Sequence, residues 1–163
     1  MTTKRLLLIS VIAIGLSMSD ARAETPFDIS LCVAGPVTAL SSTDELTLLG
    51  VELKGVTISN HQNKILDSLF YHFFGVSHIS GGQVDARGYS KMTDVNGDLI
   101  FTETTTVGPL AKPNWKLKFL HGTGKWKGIT GGGDVVSITR RSPLAEGTYR
   151  GCYSIRGTIE LPK

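Results

Sequence analysis

Residues 149–161 read Tyr149-Arg150-Gly151-Cys152-Tyr153-Ser154-Ile155-Arg156-Gly157-Thr158-Ile159-Glu160-Leu161, and their alternation decides the fold class. Tyr149, Gly151, Tyr153, Ile155, Gly157, Ile159 and Leu161 fall on one side of an extended chain, with Arg150, Cys152, Ser154, Arg156, Thr158 and Glu160 on the other. A period of two is what a strand with one buried face requires, because successive side chains leave a sheet on opposite sides. The pattern recurs near the start, where Phe27, Ile29, Leu31 and Val33 alternate with Asp28, Ser30 and Cys32.

Between these two stretches lie six further strand candidates, each bounded by turn residues. They are 46–58, 68–79, 83–93, 98–107, 114–120 and 135–140, the last led in by the stretch around Trp126. Gly81-Gly82 and Asn96-Gly97 are hairpin signals, since both supply residues that tolerate positive φ. Pro109, Pro113 and Pro143 fall between strands, where a missing amide donor costs little. Nineteen glycines and the lack of a sustained 3.6-residue apolar period argue against helices; a helical turn around Ser59–Leu66 is the one exception to be tested. Consecutive hairpins make a meander, so the expected fold is all-β: an eight-stranded antiparallel up-and-down barrel, whose interior holds side chains or one small ligand.

The first residues carry a different signal. Lys4 and Arg5 precede the eleven-residue apolar run Leu6–Leu16, and Ala21-Arg22-Ala23 has the small-x-small pattern that signal peptidase cuts. An uncleaved anchor is the alternative, but the run is far shorter than the roughly 20 residues that span a bilayer. Residues 1–23 are therefore expected to be a signal peptide cut between Ala23 and Glu24, leaving one domain at 24–163 with no membrane span. The destination is the periplasm or the medium. That compartment is oxidising, and the only two cysteines, Cys32 and Cys152, stand near the two ends of the mature chain. They are expected to pair, on the polar face of the first and last strands, which a closed barrel makes neighbours. The mature domain carries 14 basic and 13 acidic residues. So even a balance leaves no electrostatic footprint for nucleic acid.

The segment Gly122–Gly133, G-T-G-K-W-K-G-I-T-G-G-G, resembles the glycine-rich hairpin of allene oxide cyclase-like and dirigent-like barrels, which leads into one of the later strands. Gly88-Tyr89 and the run Asp94-Val95-Asn96-Gly97-Asp98 are similar to a group of exported bacterial proteins with that barrel and no assigned function. The resemblance implies an eight-stranded calycin-like barrel, a fold whose plant members are often homo-oligomers. It covers about a dozen contiguous residues and brings no catalytic residue with it.

Several constellations could carry chemistry. The glycine segment lacks the G-x-x-x-x-G-K-(S/T) order of a phosphate loop and no helix follows it. Asp94, Asn96 and Asp98 lack the spacing of a calcium loop, so a plain hairpin is expected there. His72 and His78 share one strand face with Phe74 and Val76, about 20 Å apart by strand rise and too far to hold one metal. Neither metal nor cofactor is expected. Glu103 shares a strand face with Leu99 and Phe101, which marks it as inward and makes it a candidate ligand anchor or acid/base group. Tyr149, Tyr153 and Trp115 are candidates for the same interior wall.

The leading expectation is a non-catalytic exported barrel that binds a small apolar ligand, oriented by Glu103 and the inward tyrosines. An isomerase or cyclase using Glu103 or His72 for proton transfer is the alternative, and a structural envelope protein with a filled core is the third. The exported chain should begin at Glu24; its intact mass should match residues 24–163 less two hydrogens, and a mass that retains residues 1–23 would remove the leader assignment.

Overall fold

A computed structural model describes residues 24–139 and 146–161. The leader expected at 1–23, the end of the seventh strand candidate at Arg140 and the proline at Pro143 lie outside the described residues. The strands are β1 (Glu24–Ser42), β2 (Thr47–Ser59), β3 (Phe70–Ser80), β4 (Gln83–Thr93), β5 (Leu99–Pro109), β6 (Trp115–Gly122), β7 (Thr130–Ser137) and β8 (Thr148–Glu160). All neighbours run antiparallel in chain order and β8 returns to pair with β1, so the sheet is a closed eight-stranded up-and-down barrel. One 3-10 turn, Gly124–Trp126, interrupts the strands.

Closure runs along thirteen facing pairs, from Glu24 opposite Glu160 to Pro36 opposite Thr148. Cys32 and Cys152 face each other in that ladder and are joined by a disulfide with Cα atoms 4.0 Å apart. The backbone N–H and C=O of Cys152 turn away from β1, bonding Thr139 Oγ1 and the Ile138 amide. The cysteines therefore form a non-hydrogen-bonded cross-strand pair, the kind in which the two chains approach most closely. The bridge lies outside the barrel, as the alternation of both strands requires.

The barrel has two ends that are filled differently. At one end, the 60–69 loop, the β4–β5 hairpin and the β6–β7 connection fold over the interior. The loop is a run of turns in which Lys64, Leu66 and Ser68 take φ of 50°, 60° and 56°. Those angles exclude the helical turn considered for Ser59–Leu66. Thr57 Oγ1 ties the loop down by donating to Leu66 C=O at 2.6 Å and accepting from the Leu69 amide at 3.0 Å. Leu66 and Leu69 are thereby buried with Phe27, Met92, Ile100 and Ile159. Each such fully buried side chain contributes about 1.5–3 kcal/mol, and together they plug this end.

The glycine segment divides in two. Its first half makes the 3-10 turn, which drops Trp126 and Ile129 onto the plug. The second half is not a turn: Gly131, Gly132 and Gly133 lie within β7, which starts five residues earlier than the sequence pattern suggests. A Cβ on Gly132 would sit 2.2 Å from the Leu117 carbonyl oxygen, and one on Gly133 2.3 Å from that of Arg156. Side chains here would hold β6 and β8 away from β7, so glycine is what permits closure at this seam.

Asp94 is the polar keystone of the plugged end. Its Oδ1 accepts from the Asn96 and Asp98 amides at 2.8 and 3.0 Å, shaping the Asn96-Gly97 hairpin. Its Oδ2 accepts from Trp126 Nε1 at 3.2 Å and pairs with Lys125 Nζ at 2.8 Å, which fastens the 3-10 turn to that hairpin. Lys125, helped by those amide donors, holds the carboxyl at about 2 against the opposing effect of burial. A depressed pKa means that this contribution to stability is present above the ordinary carboxylate value of about 4 and is lost as pH falls through about 2. Asp94→Asn should lower the melting temperature at pH 7 and flatten its decline between pH 4 and 2; an unchanged acid limb would refute the assignment.

Candidate functional site

The described residues leave the other half of the barrel unfilled. An internal cavity of about 320 Å³ reaches from the plug toward the end formed by the β1–β2, β3–β4 and β5–β6 hairpins. Its walls are mostly aliphatic, with Leu31 and Val33 from β1, Val51 and Leu53 from β2, and Val84 and Ala86 from β4. A benzene-sized hole of about 150 Å³ with such walls stays dry, and this one is roughly twice that size.

Aromatic rings cover two further stretches of wall. Tyr71 and Phe73 alternate inward on β3 with their rings stacked, centroids 6.3 Å apart and planes within 8°. Phe73 lies against Gly88 of β4, where a Cβ would fall 2.1 Å from the ring. On β8, the inward alternation places Tyr149 and Tyr153 side by side, their hydroxyls hydrogen-bonded to each other. Trp115, the first residue of β6, lines the cavity at the hairpin end.

From β5 only Thr104 reaches the cavity wall, as part of a polar stripe that β4 and β5 bury inside the barrel. Ile100, Thr102, Thr104 and Thr106 are the inward residues of β5 and all are buried. Ser90 and Thr102 share a hydroxyl hydrogen bond of 2.6 Å, and the Tyr71 hydroxyl is hydrogen-bonded to Ser90 and Thr104. Burial pushes the Tyr71 pKa up to about 12, against the opposing pull of those two hydrogen bonds. The phenol is thus a neutral group at any physiological pH.

Of the residues singled out in the sequence, Trp115, Tyr149 and Tyr153 stand together on the cavity wall. Glu103 does not, and the inward placement expected for it is corrected. It lies on the outer surface, accepting from the Tyr89 hydroxyl at 3.1 Å and paired with Arg87 Nε at 3.4 Å. Leu99 and Phe101 made the wrong face of β5 look buried. They are half-exposed outside the barrel, where Phe101 stacks on His121, while threonines occupy the interior. His72 is likewise on the outer wall, 2.8 Å from Glu52 Oε1. Both candidates for proton transfer therefore lie outside the cavity.

Three residues of the interior escaped sequence reasoning: Tyr71, Ser90 and Thr106. Their signal is register rather than composition. In β4 the charged residues Asp85, Arg87 and Lys91 mark the outer face, and the hairpin centred on Asn96 pairs Tyr89 with Glu103. Counting outward from that turn places Glu103 outside and the threonines inside.

No protein-family model matches the chain, and no curated protein matches it in sequence. Among solved structures it is similar to a protein of unknown function from the DUF3224 family of Shewanella oneidensis MR-1. That match has 11% identity and a TM-score of 0.60, covering 86% of this chain and 99% of that one. It is also similar to two pterocarpan synthase dirigent proteins. One has 11% identity and a TM-score of 0.50, covering 96% of this chain and 100% of that one. The other has 9% identity and a TM-score of 0.51, covering 85% and 97%. At such identities the likeness is one of fold, and the fold is the dirigent-type barrel that the glycine segment suggested.

The raised pKa of Tyr71 has a measurable consequence. Unfolding returns the phenol to its ordinary value of about 10, so stability is lost as pH rises from about 10 through about 12. The urea midpoint of the wild type should fall more steeply between pH 9 and 11.5 than that of Tyr71→Phe; parallel slopes would show that Tyr71 is not held neutral by the fold.

Proposed function

We propose that the mature chain is an exported barrel that binds one small, mostly apolar molecule in the half of its interior away from the plug. The cavity of about 320 Å³ carries this reading. A structural barrel has no use for such a void, since an unfilled interior forfeits stabilisation of about 24 cal/mol per Å³. Among the described residues, nothing charged projects from the wall into it. Arg87 borders the cavity, but its side chain is 64% exposed and paired with Glu103 outside.

Tyr149, Tyr153 and Trp115 are the aromatic contacts we assign to the ligand, in place of the orienting role expected for Glu103. The fold likeness to pterocarpan synthase dirigent proteins is compatible with a small molecule inside this barrel, as a fold-level analogy. Their activity is not carried over, and the isomerase reading loses its two proposed proton-transfer groups, Glu103 and His72. The leader pattern and the Cys32–Cys152 bridge support export.

A neutral apolar fluorophore, 1-N-phenylnaphthylamine, should brighten on binding the mature protein. Ala86→Phe, which projects a ring into the cavity from β4, should weaken that binding at least about tenfold, or about 1.4 kcal/mol, with the β-sheet circular dichroism retained. Val135→Phe tests the same space from β7. Absence of binding to the wild type, or equal affinity in a folded filled variant, would overturn the proposal.

A further inference from the structure

Most polar groups of the cavity wall already have partners. Tyr71 is satisfied by Ser90 and Thr104, Ser90 by Thr102, and the hydroxyls of Tyr149 and Tyr153 by each other. Two groups of the barrel interior differ: Trp115 Nε1, on the cavity wall, and Thr106 Oγ1, behind that wall, are shielded from solvent and have no hydrogen-bond partner. An unmet buried donor typically costs about 1–3 kcal/mol, and such groups are rare enough in native proteins to need a reason.

The two groups occur at one level of the barrel. The β5–β6 ladder pairs Thr104 with Leu117 and Thr105 with Lys116, so Thr106 and Trp115 face each other next along it. Alternation turns both inward, Thr106 with Thr102 and Thr104, and Trp115 with Leu117 and Phe119. Thr106 is only 3% exposed. Trp115 is itself on the cavity wall, and Thr106 stands across the β4–β5 ladder from Ala86, which is also on it. An indole N–H can only donate, whereas a threonine hydroxyl can donate or accept. Whatever meets both must therefore present an acceptor.

We infer that the cavity's occupant carries an uncharged hydrogen-bond acceptor, of the carbonyl or ether type, seated against Trp115 Nε1–H and Thr106 Oγ1–H near the β5–β6 hairpin. Its hydrocarbon body fills the aliphatic remainder. This rests on the reading that the cavity binds an apolar molecule, and it narrows the ligand from any hydrocarbon to an oxygenated one. A carboxylate is disfavoured because two neutral donors do not replace its hydration, and the bordering cation, Arg87, is held by Glu103 outside the barrel.

Cyclohexyl phenyl ketone and cyclohexylbenzene present the same rings with and without a carbonyl. Titration calorimetry would compare them on the wild type, Trp115→Phe and Thr106→Val. In a wall without donors the hydrocarbon should bind better, because the ketone loses its hydrogen bonds to water. In the wild type the ketone is expected to bind better, and the ketone-to-hydrocarbon affinity ratio should fall about three- to tenfold in Trp115→Phe, the worth of one neutral hydrogen bond. Thr106→Val, nearly isosteric, should lower the ratio in the same direction and serves if the tryptophan variant does not fold. A ratio unchanged in the folded variants would overturn the acceptor assignment, leaving an apolar cavity whose donors are met by water. Binding of neither compound to the wild type would overturn the cavity reading itself.

Discussion

Closure of one sheet on itself, through the ladder between β1 and β8, is the constraint from which the other features follow. A closed barrel has no strand edges to protect, but it commits one side of every strand to an interior whose size is set by strand number and stagger. The ladder joins the two ends of the described chain, so closure is a contact of very long sequence separation and costs loop entropy. The bridge from Cys32 to Cys152, separated by 120 residues, acts on that same contact. In the chain-entropy account, whose mechanism is disputed, a loop of this length contributes about 4 to 5 kcal/mol. The glycines of β7 serve closure sterically, by letting β6 and β8 approach the strand between them.

Filling the interior follows from closure, and the two halves differ in how they meet that demand. Strand side chains alone do not seal an end; connections complete the plug, with Leu66 and Leu69 from one loop, Trp126 from the 3-10 turn and Ile129 from the residues just after it. Asp94 fastens the 3-10 turn to the β4–β5 hairpin, which explains a buried carboxylate so close to an apolar core. The opposite hairpins offer less. Gly81-Gly82 makes the tight β3–β4 turn, with φ of 53° and 73°, and sends no side chain inward. Among the described residues, the void thus follows from the asymmetry between the connections at the two ends of a nearly regular barrel.

Much of the barrel was legible because strand patterning survives where inside and outside differ in polarity. β1 and β8 announced themselves by alternation, the cysteines by their shared polar face, and the hairpins by glycine. β5 misled because the contrast was reversed: Phe101 and Leu99 found partial cover outside, while the threonines turned inside, where the Thr102 hydroxyl bonds Ser90. A hydroxyl whose partner lies across the sheet is inexpensive to bury, so threonine parity carries little information on its own. Aromatic residues at the ends of β6 and β8 were assigned to the interior correctly because their strands kept the ordinary contrast. The cavity itself had no sequence signal, since a void is a property of what several distant side chains fail to reach.

Charge is arranged on the outside of this wall. Glu103 with Arg87, Glu52 with His72 and Lys54, and Asp28 with Arg156 all pair across the outer surface, where such contacts are worth little to stability. Inside this half, the phenols of Tyr71, Tyr149 and Tyr153, the Ser90 hydroxyl, a row of threonines and the Trp115 indole N–H are the polar vocabulary. That arrangement makes discrimination asymmetric. Adding or removing a methylene in an aliphatic wall changes affinity modestly, whereas leaving a buried hydrogen-bonding group unmet is penalised much more heavily. On the proposed reading of the cavity as a ligand site, ligand shape is read loosely by the aliphatic walls from β1, β2 and β4. The position of an oxygen should be read strictly at the level of Thr106 and Trp115, so the barrel would accept a range of hydrocarbon skeletons that share one acceptor in one place.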